Sequence, residues 1–371
     1  EMTEKLAETV SVKDHGAKGD GVTDDTAAFQ AALNAAVTVH VPPGVYIVSQ
    51  TIYVKCRRRL VGDNCQSGGS DGAAVIIRAA EGFTGSFVVA SDTYNSSSSD
   101  YHGYWHDGSI EGITVDCNQQ SGVHGIGVYQ FGEQATLRRI RILNSPVSGY
   151  HLEGIQAVGN IEACSAFSCG DYGAKVVSGS GSIRWLGFSG DNNRPGLVAL
   201  DGGRHSFFGL KYEKRANAAD YGPITIYGSA TGGSRVQVLV CGAECNATSN
   251  GGVAGGSVFT VLGSAKPSLT AYGVQAAGLT NAVDDQVLTA QVAVTGGQVD
   301  DFVWAQDGNA SSYRSLQAGV TIEGDFQVIA KRGGASPPAS IRIKTDQANY
   351  RGGVIAQFAT AFLKMVAESA D

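Results

Sequence analysis

The run Val12-Lys13-Asp14-His15-Gly16-Ala17-Lys18-Gly19-Asp20-Gly21-Val22-Thr23-Asp24-Asp25-Thr26, continuing into Ala27-Ala28-Phe29-Gln30-Ala31-Ala32-Leu33, decides how the chain is read. Its glycines punctuate a turn that leads into a helix. The expected N-cap is Thr23 or Asp24, with acid in the first turn facing the positive end of the helix dipole. Downstream, Val39-His40-Val41-Pro42-Pro43-Gly44-Val45-Tyr46-Ile47 reads as two short strands around a turn. Upstream, residues 1 to 10 form an amphipathic stretch with Leu6 and Val10 on one face of a would-be helix. By itself that stretch is too short to be stable.

Outward from this opening, the chain is periodic. Apolar residues recur as apolar-x-x-apolar-x-apolar at Ile110/Ile113/Val115, Leu137/Ile140/Ile142, Ile161/Cys164/Ala166, Ile183/Leu186/Phe188, Phe207/Leu210/Tyr212 and Val236/Leu239/Cys241. The steps between first members are 27, 24, 22, 24 and 29 residues, as one solenoid turn with variable loops requires. A second strand family lies between them: Gly125–Tyr129, Gly149–Glu153, Gly173–Val177, Gly196–Asp201 and Pro223–Tyr227. Strand alternation sends Tyr150, Leu152, Ala174 and Val176 inward and leaves His151, Glu153 and Lys175 outward. Beyond residue 230 the period loosens into a Gly-, Ala- and Val-rich run, read as further coils to residue 315. Residues 316–371, with Ser336-Pro337-Pro338 and an apolar end from Phe358 to Val366, read as a capping or trimerisation segment.

The opening resembles the N-terminal signature of the pectate-lyase-like β-helix superfamily, in which a Gly-Asp-Gly-x-x-Asp-Asp-Thr turn and a short helix close one end. The lead-in Val-Ser-Val-Lys-Asp-x-Gly-Ala-Lys-Gly-Asp-Gly is most similar to bacteriophage tailspikes and tail-associated polysaccharide depolymerases. The resemblance covers residues 1–50. It implies an all-β, right-handed single-stranded parallel β-helix over 51–315, and it gives Asp24 and Asp25 a structural role.

Composition agrees with a turn-rich β chain: of 371 residues, 51 are Gly and 8 Pro, and only 16% are charged. A net charge of −7 without a basic block argues against nucleic acid, whose affinity comes from phosphate neutralisation. No apolar run is long enough to cross a bilayer. The first ten residues are too charged for a signal peptide, and a start at Glu1 leaves room for an upstream attachment domain. Seven cysteines (Cys56, Cys65, Cys117, Cys164, Cys169, Cys241, Cys245) lack any Cys-x-x-Cys pair, so neither a zinc site nor a full disulfide set is expected. Most read as buried small hydrophobes, with Cys164 and Cys241 on inward positions.

No nucleophile elbow, phosphate loop, metal motif or cofactor motif is present, so chemistry must come from acids on the outer face. Glycosidic hydrolysis needs two carboxyls flanking the bond; a lyase needs a base such as His, Lys or Tyr beside a neutralised uronate. Glu153 and Asp201 point outward about two coils apart, with Asp171 at a corner between them. At roughly 4.8 Å per coil, such acids span the separations used by hydrolases. A carboxyl beside apolar rings is expected to hold its proton, and one beside Lys175 to stay ionised. Sugar faces stack on rings, so Trp185, Tyr129, Tyr172 and Tyr227, read as outward or corner positions, join His151, Lys175 and Arg184 as candidate substrate contacts. Arg184 also stands at the repeat position of Glu162 one coil away, where an ordinary surface ion pair is the plainer reading. The loop from Tyr94 to Asp107 is dense in aromatics and His, suiting either substrate contact or docking on a neighbouring subunit.

The function expected is a phage tailspike that cleaves a bacterial surface polysaccharide, more readily by hydrolysis than elimination. It is expected to be a homotrimer on the virion tail, outside the cell, without cofactor, metal, nucleic acid or membrane insertion. A secreted polysaccharide lyase or glycan transferase of the same fold, or a non-catalytic trimeric adhesin, are the alternatives, since fold does not choose among them.

Overall fold

The computed structural model describes residues 9–65, 74–94, 103–213, 222–228, 236–246, 257–263 and 267–277, and beyond them strands between Asn281 and Met365. Residues 1–8, most of the predicted amphipathic lead, lie outside the described residues. The chain divides into two compact units, Glu1–Gly333 and Gly334–Asp371.

The first unit is a right-handed single-stranded parallel β-helix built on one 30-stranded sheet. Each coil contributes to three stacks of strands. Stack one runs from Thr9–Ser11, Thr38–Val41 and Arg59–Gly62 through Ser109–Glu111, Thr136–Arg138, Val158–Glu162 and Ser182–Leu186. Stack two includes Thr114–Asp116, Arg141–Leu143, Ser165–Phe167 and Ser189–Asp191. The long strands Arg204–Glu213, Gln237–Asn246 and Ser268–Ala277 turn the corner between the two stacks without a break. Stack three holds the ends of Gly44–Val54 and Val75–Ser91, then His124–Tyr129, Tyr150–Ile155, Ala174–Gly179, Val198–Asp201, Ile224–Gly228 and Ser257–Gly263. Parallel pairing continues as far as Gln327–Lys331. The second unit contains an antiparallel pair, Val354–Phe358 with Ala361–Met365.

The opening turn closes one end as a polar knot. Asp25, 1% exposed, accepts hydrogen bonds from the backbone N–H of Lys18 (2.6 Å) and Gly19 (3.0 Å). Asp24 accepts from the Thr26 N–H at 3.0 Å and from the Ser49 hydroxyl at 2.6 Å. Asp20 binds the N–H groups of Val22 and Thr23, which pull its carboxyl down to about 2. These acids are occupied by backbone and hydroxyl donors, as a structural role requires. The helix spans Thr26–Ala35 with Asp25 at its N-cap position, slightly later than predicted. At Gly19, φ is +64° and an added Cβ would sit 2.8 Å from the Tyr46 ring, so only glycine fits.

The interior follows the sequence period, with two shifts of phase. The inward-outward-corner-inward-outward-inward order holds at Ile110/Ile113/Val115, Leu137/Ile140/Ile142, Ile161/Cys164/Ala166 and Phe207/Leu210/Tyr212, all buried. In the coil between the last two, Ile161 pairs with Trp185 and not with Ile183. Trp185 therefore turns inward with 0% exposure, and Leu186 turns out. Farther along, Phe207 pairs with Val240, so the inward set is Val240, Ala243 and Cys245, while Leu239 and Cys241 are half-buried on the outer side. Cys164 is inward as expected and Cys241 is not; none of the seven cysteines is in a disulfide.

Candidate functional site on the outer face of stack three

The outward positions of stack three form two columns. Gly127, His151, Lys175 and Ala199 occupy one; Tyr129, Glu153, Val177 and Asp201 occupy the next. Glu153 and Asp201 thus share one repeat position two coils apart, with Val177 between them. Their neighbours Tyr150, Leu152, Ala174 and Val176 are buried in the core, which fixes the direction of the outward side chains.

Around Glu153 the structure gathers His151, whose Nε2 lies 3.7 Å from the Glu153 carboxylate, and Tyr94, whose hydroxyl donates to it at 3.5 Å. Burial raises the Tyr94 hydroxyl far above the ordinary tyrosine range, with the Glu153 charge adding to the effect, so it stays a donor. One corner away, Asp171 accepts from Lys175 Nζ (3.0 Å) and the Ser148 hydroxyl (2.9 Å). The carboxyl beside Lys175 is therefore that of Asp171, while Glu153 keeps company with rings.

The rings form a cluster: Phe87 lies 4.5 Å from Tyr94, 5.3 Å from His124 and 5.8 Å from His151, and Tyr94 lies 5.5 Å from Tyr129. His124 and His151 are 4.8 Å apart. Desolvation pushes His124 down to about 4, with His151 adding to it, and desolvation also lowers His151. Both imidazoles are neutral near pH 7, and the Nδ1 of each is buried without a hydrogen-bond partner. The face thus offers carboxylates of two environments, an anchored ammonium, neutral imidazoles and a wall of rings. This set can hold a sugar by stacking and hydrogen bonding and deliver protons across a glycosidic bond.

Of the residues expected here from sequence, His151, Glu153, Asp171, Lys175 and Tyr129 come together, and Asp201 stands two coils along. Three do not belong. Trp185 is in the core, stacked on Phe207 with centroids 5.1 Å apart, its Nε1–H donating to Nδ1 of His205 at 3.3 Å. Arg184 is on stack one, in register with Asn160 and not with Glu162, so the expected pairing with Glu162 is lost along with any approach to stack three. Tyr172 is 1% exposed and shares a 2.9 Å hydroxyl contact with half-buried Tyr227 one coil past Asp201. Phe87 and His124 are not among the contacts expected from sequence, and Tyr94 is there only as part of a loop suited to either substrate contact or subunit docking. Tyr94 begins the aromatic loop already marked, and His124 directly precedes a corner glycine of the second strand family. Trp105 of that loop is buried, donating from Nε1 to the Val54 carbonyl at 3.0 Å. Its residues 95–102 lie outside the described residues. Among the described residues no group of three or more His, Cys, Asp or Glu could hold a metal ion, and no helix is long and apolar enough to cross a membrane.

Known proteins agree with this architecture. Residues 9–193 match the family model described as rhamnogalacturonase A/epimerase, pectate lyase-like. The pre-neck appendage protein of Bacillus phage phi29 is 49% identical over 53 residues, 14% of this chain and 6% of that protein. A probable glucan endo-1,3-beta-glucosidase of Arthroderma benhamiae is 34% identical over 106 residues, 25% of this chain and 11% of that one. Both matches span small fractions of those relatives. Among solved structures, the tailspike protein of E. coli bacteriophage HK620, in complex with a pentasaccharide, superposes with a TM-score of 0.52 at 13% identity, covering 87% of this chain and 68% of that one. That likeness is one of fold. Through residues 9–193, the chain belongs to the pectate lyase-like family of right-handed parallel β-helices.

Proposed function

We propose that the chain is a phage tailspike depolymerase that binds and hydrolyses a bacterial surface polysaccharide, capsule or O-antigen, on the outer face of stack three. The observation that carries the reading is the register Glu153–Val177–Asp201, which sets two carboxyls on one face two coils apart beside a cluster of rings. In this reading Glu153 and Asp201 divide the acid and base roles. Asp171 holds Lys175, and Lys175, His151, Tyr129 and Tyr227 contact the sugar. The phage relatives support a place on the virion tail, where a homotrimer outside the cell is the working form and the segment beyond the parallel coils, which run past the expected residue 315 to Lys331, serves as its cap or trimerisation element.

A panel of capsules and lipopolysaccharides tests this, with both reducing ends and the ultraviolet absorbance of unsaturated uronates recorded. Reducing ends without absorbance support hydrolysis. A second reading, elimination from a uronate, is favoured by the neutral His151 beside Lys175: the imidazole can take a proton while the ammonium meets the uronate charge. Absorbance rising with the reducing ends selects it. Retained binding with neither signal selects a glycan-binding adhesin.

A further inference from the structure

Three of the large apolar side chains left exposed share one repeat position. Leu186, Phe208 and Tyr272 are 39%, 42% and 47% exposed. Leu186 pairs with Phe208, Phe208 with half-buried Cys241, and Cys241 with Tyr272. Each directly precedes a left-handed corner glycine, Gly187, Gly209, Gly242 or Gly273. The result is a straight row on the outside of stack one, one apolar side chain per coil, stepping by about 4.8 Å. A solvated sheet face should be polar at such positions. Lower on the same column it is, with Glu111, Arg138 and Glu162 in register.

We infer that this row is where copies of the chain associate side by side, parallel, with their rows meeting along a shared axis. Spacing is the first argument. A rigid row with one knob per coil is matched along its length by a row of equal step, which a parallel copy of the same solenoid supplies. Charge is the second. On a symmetry axis each residue meets itself, so the column along the axis must tolerate its own copy. Four apolar residues do so, and lower down the column Glu111 is already neutralised within the chain, by Arg59 at 3.2 Å and by Arg138. The glycan face proposed above is on stack three, so association through stack one leaves it open.

Cys241 makes the arrangement testable, because copies meeting on the axis bring like thiols within disulfide reach. The full chain is reduced, freed of reductant and treated with diamide. Two Cys241 thiols give up two protons and two electrons as the S–S bond forms, and the diazo bond of the reagent is reduced to the hydrazine. We expect a covalent dimer on denaturing gels that is lost in Cys241→Ser and kept in Cys65→Ser, from a protein whose solution mass is a multiple of the chain's. Phe208→Lys sets an ammonium against its own copy and lowers the crosslink yield at least about tenfold, equivalent to about 1.4 kcal/mol. A monomeric chain, an oligomer without the Cys241 crosslink, or a crosslink that survives Phe208→Lys overturns the inference. None of these readouts involves glycan cleavage, so the cleavage face on stack three is tested separately; a monomeric chain would overturn the trimeric working form proposed above as well, whereas an oligomer without the Cys241 crosslink overturns this inference alone.

Discussion

Replacing Glu153 or Asp201 by its amide removes a proton-transfer group while preserving shape, and the fold gives the size and stereochemistry of the effect. The two residues are two coils apart in register. At about 4.8 Å per coil their backbone positions stand roughly 10 Å apart. That is close to the wide end of the separation, about 6.5–9.5 Å, in which one carboxyl protonates the leaving oxygen and the other activates water on the opposite face. It is about twice the ~5 Å of double displacement. Loss of one general acid or base lowers turnover by about a hundredfold to ten-thousandfold, about 2.7–5.4 kcal/mol of transition-state stabilisation. Both side chains lie on the outer face, so Glu153→Gln and Asp201→Asn are expected to keep the thermal midpoint of the parent. The assay is initial-rate release of reducing ends, with proton NMR of the first-formed anomer. The expected product is inverted. A retained anomer, or folded amide variants of both residues with full activity, would refute the pairing and move attention to Glu162, Asp191 or a site shared between subunits.

Trp185→Ala is expected to cost about 3–5 kcal/mol by chemical denaturation, because it empties a core position packed against Phe188, Phe207 and His205, whereas a sugar contact would lower binding and spare stability. His205 is fully buried and pushed down to about 4, by desolvation above all. The unfolded chain binds its proton near the ordinary imidazole value of 6.5, so between 6.5 and about 4 the unfolded state carries the extra proton and stability falls as pH drops. A melting midpoint that does not fall across that window, or a fall unchanged in His205→Asn, would remove His205 from the account. Asp25→Ala strips the buried acceptor from the half-buried N–H groups of Lys18 and Gly19 and should cost about 2 kcal/mol, read as faster hydrogen exchange confined to the first coils.

How much of this was legible in sequence depends on what each feature rests upon. The fold is written in short-range signals: the glycine-rich opening turn with its acids, and a period of apolar residues that one solenoid turn enforces. The outward set His151, Glu153 and Lys175 was legible for the same reason, since strand alternation needs only the next residue to be buried. Errors arose where several frames fit the apolar pattern. Ile183/Leu186/Phe188 satisfies it as well as the frame through Trp185, and Val236/Leu239/Cys241 as well as the frame through Val240. The physical arbiter is the corner, a residue with positive φ two places after the inward one: Gly112, Arg139, Ala163, Gly187, Gly209, Gly242 and Gly273. Glycine takes that conformation without a Cβ penalty, so most corners are glycine. Gly187 and Gly242 therefore mark Trp185 and Val240 as inward, and the row Leu186, Phe208, Cys241, Tyr272 as outward, from sequence alone. Arg139 and Ala163 break the glycine mark, which is why hydrophobicity was the easier guide and the less accurate one. The contact of Tyr94 with Glu153 had no such signal. It joins residues 59 positions apart across coils whose loops vary in length, and only the assembled register brings them together.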